Sequence, residues 1–363
     1  MILNRLSMNK AIRIIKPYMT YFPDKSPQCV LIFLCRYFFC LLIALCTPDK
    51  LSAEIVIKGA SGIVRQHNHL MIVSDVDSGG YYKYALSSHL LNSDHLIDRP
   101  IILKSGSDGV LERVELPHGL RRLDLESIDL LADGQVVVLS ERLRSLLAKR
   151  GFIVEYDNSS HQYTNRGTEG LAVRGLENYA SQVAVLWEGG YPDYRDLSLL
   201  LRNRPEKLSA NPVIWTHLIE KDETGLRFDR GSRTKTEIEL KVPELPGREP
   251  EAQRFRAPDL VWHKLNKDEW GFIVLLSSGN APRNRNVSFH YHWLLRFNMQ
   301  GHPIGDPLDI EKQTSKPHLK RANWEGLGWF EQGRSLILVH DMPYKGPPNA
   351  IVIKLPPEWK AAE

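Results

Sequence analysis

Cysteine is confined to one end of the chain. Of 363 residues the only four cysteines are Cys29, Cys35, Cys40 and Cys46. Everything after them is therefore without disulfides, without a thiol nucleophile and without thiolate metal ligands. An excess of charge is missing too, once the beginning is set apart. Residues 1–53 hold seven Lys/Arg against two Asp/Glu, and the other 310 residues hold 40 against 41. The formal net charge of +4 thus belongs to the beginning of the chain, and no nucleic-acid-binding surface is expected. Long apolar runs are also lacking. CVLIFLC (29–35) and YFFCLLIALC (37–46) are divided by Arg36, and each falls well short of the roughly 20 residues of a spanning helix. There is no P-loop and no dinucleotide fingerprint, and Ser61-Gly62 and Ser74-Asp75 do not make a serine-hydrolase elbow.

What the beginning does hold is a basic region, a ten-residue apolar core and the polar stretch TPDKLSA ending on Ala53. This order is that of a secretory leader cut near Ala53, which places residues 54–363 in the periplasm or outside the cell. The alternative is an N-terminal membrane anchor, the only membrane contact expected. With 42% hydrophobic and 25% charged residues, the remainder has the composition of a globular domain.

From residue 54 onward the dominant pattern is a repeated hairpin. Asn323 to Asp341 (NWEGLGWFEQGRSLILVHD) reads as two short apolar strands around Gln332-Gly333, with a carboxylate at each open end. Asp124 to Glu141 repeats it around Asp133-Gly134, Gly59 to Asp75 around His67-Asn68, Gly167 to Glu188 around a looser turn, and Pro258 to Ser278 in the most eroded copy. The spacings Ser61–Glu126, Glu126–Glu169, Glu169–Asp259 and Asp259–Glu325 are 65, 43, 90 and 66 residues. The shortest matches a four-stranded propeller blade of about 40 to 50 residues, and the longer intervals carry loops and outer strands. Further strands are read at 151–157, 212–219, 237–242, 292–299 and 349–355. The predicted fold is all-β, a single β-propeller of five blades, with six as the alternative. Its ring closes where the C-terminal strand 349–355 meets the N-terminal segment 53–59 in one blade, which removes the exposed edges of an open seam. Ser140 to Arg150 reads as turn plus strand, Tyr194 to Asn203 as a short helix, and 192–211 and 230–256 as excursions from the ring.

Equivalent positions in a propeller lie at equivalent radii, so Glu126, Glu169, Asp259 and Glu325, with Ser61 in the first copy, form one ring at the channel. The strand-end residues Asp75, Glu141, Glu188 and Asp341 form a second. Carboxylates converging in this way repel one another and call for a hard cation such as Ca²⁺, with Glu126, Glu169, Glu325, Asp75 and Asp341 as metal ligands. The other reading is that they accept backbone N–H bonds and pin neighbouring blades together. Glu169, Glu325 and His340 are the candidate catalytic residues, the last read either as general base beside Asp341 or as a hydrogen-bonded structural histidine. Arg142 is read as an exposed arginine, and His290 with His292 as an ordinary polar strand face.

ASGIVRQHNHLMIVSD, DLESIDLLADGQVVVLSE, NRGTEGLAV with LWEGG, and NWEGLGWFEQGRSLILVHD together resemble the exported bacterial propellers named for esterase-like or phytase-like activity, which are similar to the quorum-regulator-controlled (SdiA-regulated) propellers. The resemblance spans roughly Ala60 to Leu355. It implies an exported propeller with its Glu-Gly-Leu residues facing the channel and hydrolysis of a phosphomonoester or ester, calcium-dependent as in propeller phytases. The sequence departs from the pattern at Ser127, where Gly is expected, and at Asp259-Leu260, where Glu-Gly is expected. It also lacks a Lys/Arg-rich cleft for a highly phosphorylated substrate. Two functions follow as expectations. One is a Ca²⁺-assisted hydrolase of a small phosphoester or ester. The other is a non-catalytic binding module for an envelope ligand, with a structural carboxylate ring. A monomer is expected in either case.

Overall fold

The computed structural model describes residues 57, 59–77, 79–91, 100–106, 109–116, 123–143, 145–148, 151–155, 167–176, 181–189, 211–222, 225–228, 236–245, 255–280, 288–313, 322–341 and 349–360. The chain divides into Met1–Glu54 and Ile55–Glu363, and all that follows concerns the second unit. Among the described residues no helix is long and apolar enough to cross a membrane.

Alternating apolar residues and tight polar turns give five antiparallel sheets in chain order. The first blade is β1 (Ala60–Gln66), β2 (His69–Ser74), β3 (Gly80–Leu86) and, after the short β4 (Ile101–Ile102), β5 (Gly109–Glu115). The second is β6 (Leu125–Leu130), β7 (Val136–Ser140), β8 (Ser145–Ala148) and β9 (Gly151–Glu155). The third is β10 (Thr168–Gly175), β11 (Ser181–Trp187), β12 (Val213–Asp222) and β13 (Gly225–Phe228), with β14 (Thr236–Glu239) also on β12. The fourth is β15 (Phe255–Lys264), β16 (Trp270–Asn280), β17 (Ser288–Asn298) and β18 (Pro303–Asp309). The fifth is β19 (Asn323–Glu331), β20 (Ser335–Asp341), β21 (Asn349–Lys354) and β4.

The first strands β1, β6, β10, β15 and β19 pack side by side and return to β1, so the five blades form a closed ring. Closure joins the C-terminal strand to a segment other than the expected 53–59. Among the described residues that segment is Ile101–Ile102, paired with Asn349 and Ala350. Most of the anticipated 53–59 lies outside the described residues, although Ile57 is buried in the apolar cluster shared by the first and fifth blades. The described residues of Ser140 to Ala148 are turn plus strand as read, while 149–150 and the helix expected at 194–203 lie outside the described residues.

Five apolar clusters fill the five gaps between blades, one per gap. They bury large side chains such as Trp187, Trp215, Trp324 and Phe272, and this supplies the stability that disulfides would otherwise give. Each gap is also latched by hydrogen bonds. The hydroxyl of Ser61 donates to the Leu125 carbonyl (2.6 Å), the amide of Val173 to Asp129 (2.6 Å), the indole of Trp262 to the Ala172 carbonyl (3.2 Å), the indole of Trp329 to the Trp262 carbonyl (3.0 Å), and Arg65 to the Phe330 carbonyl (2.7 Å).

At the centre the inner strands approach backbone to backbone. A Cβ on Gly62 would lie 2.6 Å from Cα of Ser127, one on Gly326 2.8 Å from Cα of Gly62, and one on Gly170 2.9 Å from Cα of Asp259. Only glycine permits that approach at three of the five positions, which accounts for the Ser-Gly and Glu-Gly pairs in the repeat. The second and fourth blades carry Ser127 and Asp259 instead, and the two departures meet. The Ser127 hydroxyl donates to Oδ1 of Asp259 (3.2 Å), which also accepts from the amides of Leu260 (2.9 Å) and Leu171 (3.3 Å), while Oδ2 accepts from the amide of Leu327 (2.7 Å). One carboxylate thus bonds four blades across the axis, and for Asp259 the pinning role is the one observed.

Candidate functional site

Each inner strand carries a β-bulge at the same end. The extra residue is Ser61 in β1, Glu126 in β6, Glu169 in β10 and Glu325 in β19. A bulge leaves one residue out of the ladder and re-aims its side chain, which explains why the repeat places an acidic residue just before the close-packed glycine. Beside each bulge, the first residue of the hairpin faces the last. The amide of Asp75 donates to the Gly59 carbonyl (3.2 Å), that of Glu141 to the Asp124 carbonyl (3.0 Å) and that of Glu188 to the Gly167 carbonyl (3.4 Å), while Asn323 pairs with Asp341. The side chains of Asp75 and Glu141 lie over Gly59 and Gly167, where a Cβ would collide with them.

The fourth blade differs. Its bulge holds two residues, Ala257 and Pro258, between the pairs Arg256↔Ser277 and Asp259↔Leu275, so no carboxylate occupies the bulge there. Arg256, expected in the outer excursion 230–256, belongs to the inner strand. Its guanidinium lies in the ring, with Nη2 2.5 Å from Oε1 of Glu325 and 3.0 Å from Oδ1 of Asn323, and Nη1 3.8 Å from Glu188. Asn323 also donates to Glu325 (2.6 Å). The expected carboxylate ring without matching base is thus corrected: the fourth blade contributes an arginine, from the position just before the bulge, and no acid. The sequence signal for it lies in the strand ends. If the blades are aligned on Ser74, Ser140, Trp187, Ser277 and His340, Arg256 falls beside Ala60, Leu125, Thr168 and Trp324.

The remaining acids crowd together. Asp124, Glu126 and Glu141 each offer a carboxylate oxygen within 4.8 Å of the others. Asp124, with a left-handed φ of 55°, was not among the sequence candidates; its signal is its place opposite Glu141. Glu126 is 8% exposed, and among the described residues neither it nor Glu169 has a hydrogen-bond donor. Burial, then the charges of Glu141, Glu325, Asp75 and Asp124, push Glu126 well above the ordinary carboxyl range. Burial, then Glu126, Glu188 and Glu141, do the same to Glu169, against the pull of Arg256. Burial and the charges of Glu325 and Asp124 raise Asp75 to about 6, and its Oδ1 is buried with no hydrogen-bond partner among the described residues. Burial also raises Asp124, opposed by Arg142. For Arg256 burial acts to lower the pKa, but Glu325, Glu188 and Glu169 outweigh it and hold the guanidinium charged.

The structure therefore brings Glu126, Glu169, Glu325 and Asp75 of the sequence candidates into one cluster, with Glu141 and Glu188 from the second ring. Ser61 is used as a latch. Asp341 pairs through its backbone, and its side chain lies outside what is described. His340 is placed elsewhere. It is 1% exposed, on the face of β20 shared with Leu336 and Leu338, and its ring meets Trp324 edge-on at 5.2 Å between the fourth and fifth blades. His292 is likewise buried, while the side chain of His290 is not described.

All donors in the Asp124–Glu126–Glu141 group are carboxylate oxygens, the ligand type that hard divalent cations such as Ca²⁺ take. Glu126, buried without a donor, is the atom set most in need of such a partner.

No protein-family model matches the sequence, and no curated protein matches it. Among solved structures the chain is similar to virginiamycin B lyase from Staphylococcus aureus, at 9% identity and a TM-score of 0.34 over 84% of this chain and 98% of that one. It is similar to a gluconolactonase from Xanthomonas campestris, at 8% identity and a TM-score of 0.34 over 83% and 87%. It is also similar to a luciferin-regenerating enzyme, at 10% identity and a TM-score of 0.36 over 85% and 98%. At these scores none of the three carries an argument about this chain's chemistry. The five-bladed fold rests on its own strand pairing.

Proposed function

We propose that the channel mouth is the active site of a cation-dependent hydrolase acting on an ester or phosphomonoester. The observation that supports this best is the buried Glu126, without a donor among the described residues, in a three-carboxylate group whose oxygens lie within 4.8 Å. Asp124, Glu126 and Glu141 would hold the cation, with Glu169 and Asp75 beside them. Glu325, committed to Arg256, is removed from the ligand set. A bound Ca²⁺ would polarise the ester or phosphoryl oxygen.

The chain's own residues supply the proton transfers. Asp75, beside the cation ligands, would take a proton from the attacking water. Glu169, held well above the carboxyl range, keeps a proton to give to the leaving oxygen. The water oxygen bonds to the acyl carbon or phosphorus as the bond to the leaving oxygen breaks; one proton passes to Asp75 and one comes from Glu169. Arg256, held by Glu325 and Glu188, fixes the far wall.

A second reading, a binding module with a structural ring, has one observation in its favour: Arg256 already offsets part of the charge from within the protein. Thermal unfolding with EDTA and then with Ca²⁺, alongside chromogenic ester and phosphomonoester assays, separates the two. The hydrolase reading expects turnover that stops with EDTA, returns with Ca²⁺ and is lost in Asp124→Asn and Glu141→Gln. Protein that Ca²⁺ stabilises but that turns over neither substrate is the binding module.

A further inference from the structure

We infer that Val76 forms an apolar wall beside Asp75 that receives the acyl chain of a carboxylic ester, so that the site takes esters of short aliphatic acids in preference to phosphomonoesters. This rests on the hydrolase reading above and chooses between its two substrate classes.

Exposed apolar side chains scattered over a protein surface are ordinary and call for no ligand. Val76 differs in where it stands and in how firmly it is held. It is 58% exposed and directly follows the strand-end Asp75 at the mouth. The residues that follow the strand-end acids Glu141 and Glu188 are Arg142 and Gly189, neither of them apolar in side chain. The valine also leans inward. A Cβ on Gly59, just before the inner strand β1, would collide with Cγ2 of Val76 and with Oδ1 of Asp75, so the methyl and the carboxylate oxygen lie against one and the same backbone atom.

The turn that presents Val76 is braced on both sides. The Ser74 hydroxyl accepts from the amides of Val76 (3.2 Å) and Asp77 (2.9 Å). Asp77 in turn accepts from the Tyr82 hydroxyl on β3 and from Arg113 on β5 (3.2 Å). A wall held in this way needs little further ordering when a ligand covers it.

Asp75 supplies the second observation. Its Oδ1 is buried with no hydrogen-bond partner among the described residues. In the hydrolase reading this carboxylate takes a proton from the attacking water, so the atom under attack lies one water away from it. On a carboxylic ester that atom carries an alkyl chain. On a phosphomonoester it carries charged oxygens instead. A chain laid against Val76 leaves water and gains by it, whereas a phosphoryl oxygen there loses hydration and meets a methyl that donates nothing.

The experiment uses the full chain in saturating Ca²⁺. p-Nitrophenyl acetate, butyrate and phosphate are compared on the native protein, Val76→Ala and Val76→Thr, the last keeping the shape and adding a hydroxyl. Val110→Ala is the control, since Val110 is 67% exposed on the outer strand β5, at the end away from the mouth. In parallel, the amide counterparts 4-nitroacetanilide and 4-nitrobutyranilide are titrated into the same proteins by NMR, which reads binding without turnover. The native protein should prefer butyrate to acetate by about fivefold or more in kcat/KM, chiefly through KM, with phosphate below both. Both Val76 variants should bring the butyrate-to-acetate ratio within about twofold, and Val110→Ala should leave it unchanged. The anilide affinities should follow the same pattern. Circular dichroism checks the fold of each variant.

A butyranilide preference that Val76→Ala abolishes, without turnover of any compound, would keep the Val76 subsite and refute the hydrolase reading. Turnover with a butyrate-to-acetate ratio that Val76→Ala leaves unchanged, or phosphate turned over faster than both esters, would overturn the inference and leave a hydrolase standing. Neither turnover nor an anilide preference would overturn both.

Discussion

Asp259 is where the structure makes its sharpest energetic statement. Replacing it with alanine removes an acceptor that serves the amides of Leu327 (2.7 Å), Leu260 (2.9 Å) and Leu171 (3.3 Å) and the hydroxyl of Ser127 (3.2 Å). The two shorter bonds carry most of the effect, at about 1.5–3 kcal/mol each for a charged acceptor, and the Ser127 hydroxyl can rotate to another acceptor. Opposing them is burial of a carboxyl that is 1% exposed, which raises its pKa well above the usual range despite those four bonds. If the bonds prevail, Asp259→Ala loses about 3–5 kcal/mol, or roughly 5–8 °C in Tm for a domain of this size. Asp259→Asn is an informative partner. Its amide oxygen still serves one side, but its NH₂ faces a backbone N–H on the other, so a loss of about 1–3 kcal/mol is expected. Urea unfolding at matched pH reads both. An alanine variant as stable as the native protein would show that desolvation outweighs the bonds, and the account of Asp259 as a pin would fail.

Further outcomes follow from the mouth. Carboxyls whose folded pKa lies above the unfolded value bind more protons folded than unfolded, so in EDTA stability should fall as pH rises from about 4 through the value near 6 of Asp75 and beyond, as the raised Glu126 and Glu169 also lose protons. Denaturant midpoints across pH 4–8 test this, and a flat profile contradicts it. Glu126→Gln should raise stability at pH 8 in EDTA and change little at pH 4, because only the ionised form is penalised. Arg256→Met should cost about 3–5 kcal/mol by leaving Glu325 and Glu188 without their cation, and adding Glu325→Gln should recover part of the loss in a double-mutant cycle. His340→Gln should lower Tm through lost packing against Trp324 while leaving turnover with the chromogenic ester within about twofold, since its ring packs between the fourth and fifth blades.

Much of the ring was legible because turn chemistry and alternation are local. Asp133-Gly134 and Gln332-Gly333 mark hairpins, and an acid before a small residue marks the bulge at the axis. What escaped was set by register. In the fourth blade a two-residue bulge at Ala257-Pro258 shifts Asp259 off the acidic position, and only the strand end at Ser277 restores the alignment that exposes Arg256. Asp124 faces Glu141 at the open end of the hairpin read from Asp124 to Glu141, but the matching positions of the other copies, Gly59, Gly167 and Asn323, are not acidic, so the repeat drew attention to Glu126 instead. His340 looked like a channel residue because it adjoins Asp341, yet neighbours on a strand point to opposite faces, and Leu336 and Leu338 fix which one His340 takes. The closing strand Ile101–Ile102 has two residues, too few for any periodicity.

With its carboxylate bonded to the second, third and fifth blades as well as its own, Asp259 floors the mouth. Four separate sheets thus share one acceptor at the axis. Any motion that parts the fourth blade from the second, third or fifth must break a bond to that single side chain, so the blades are expected to open together rather than one at a time.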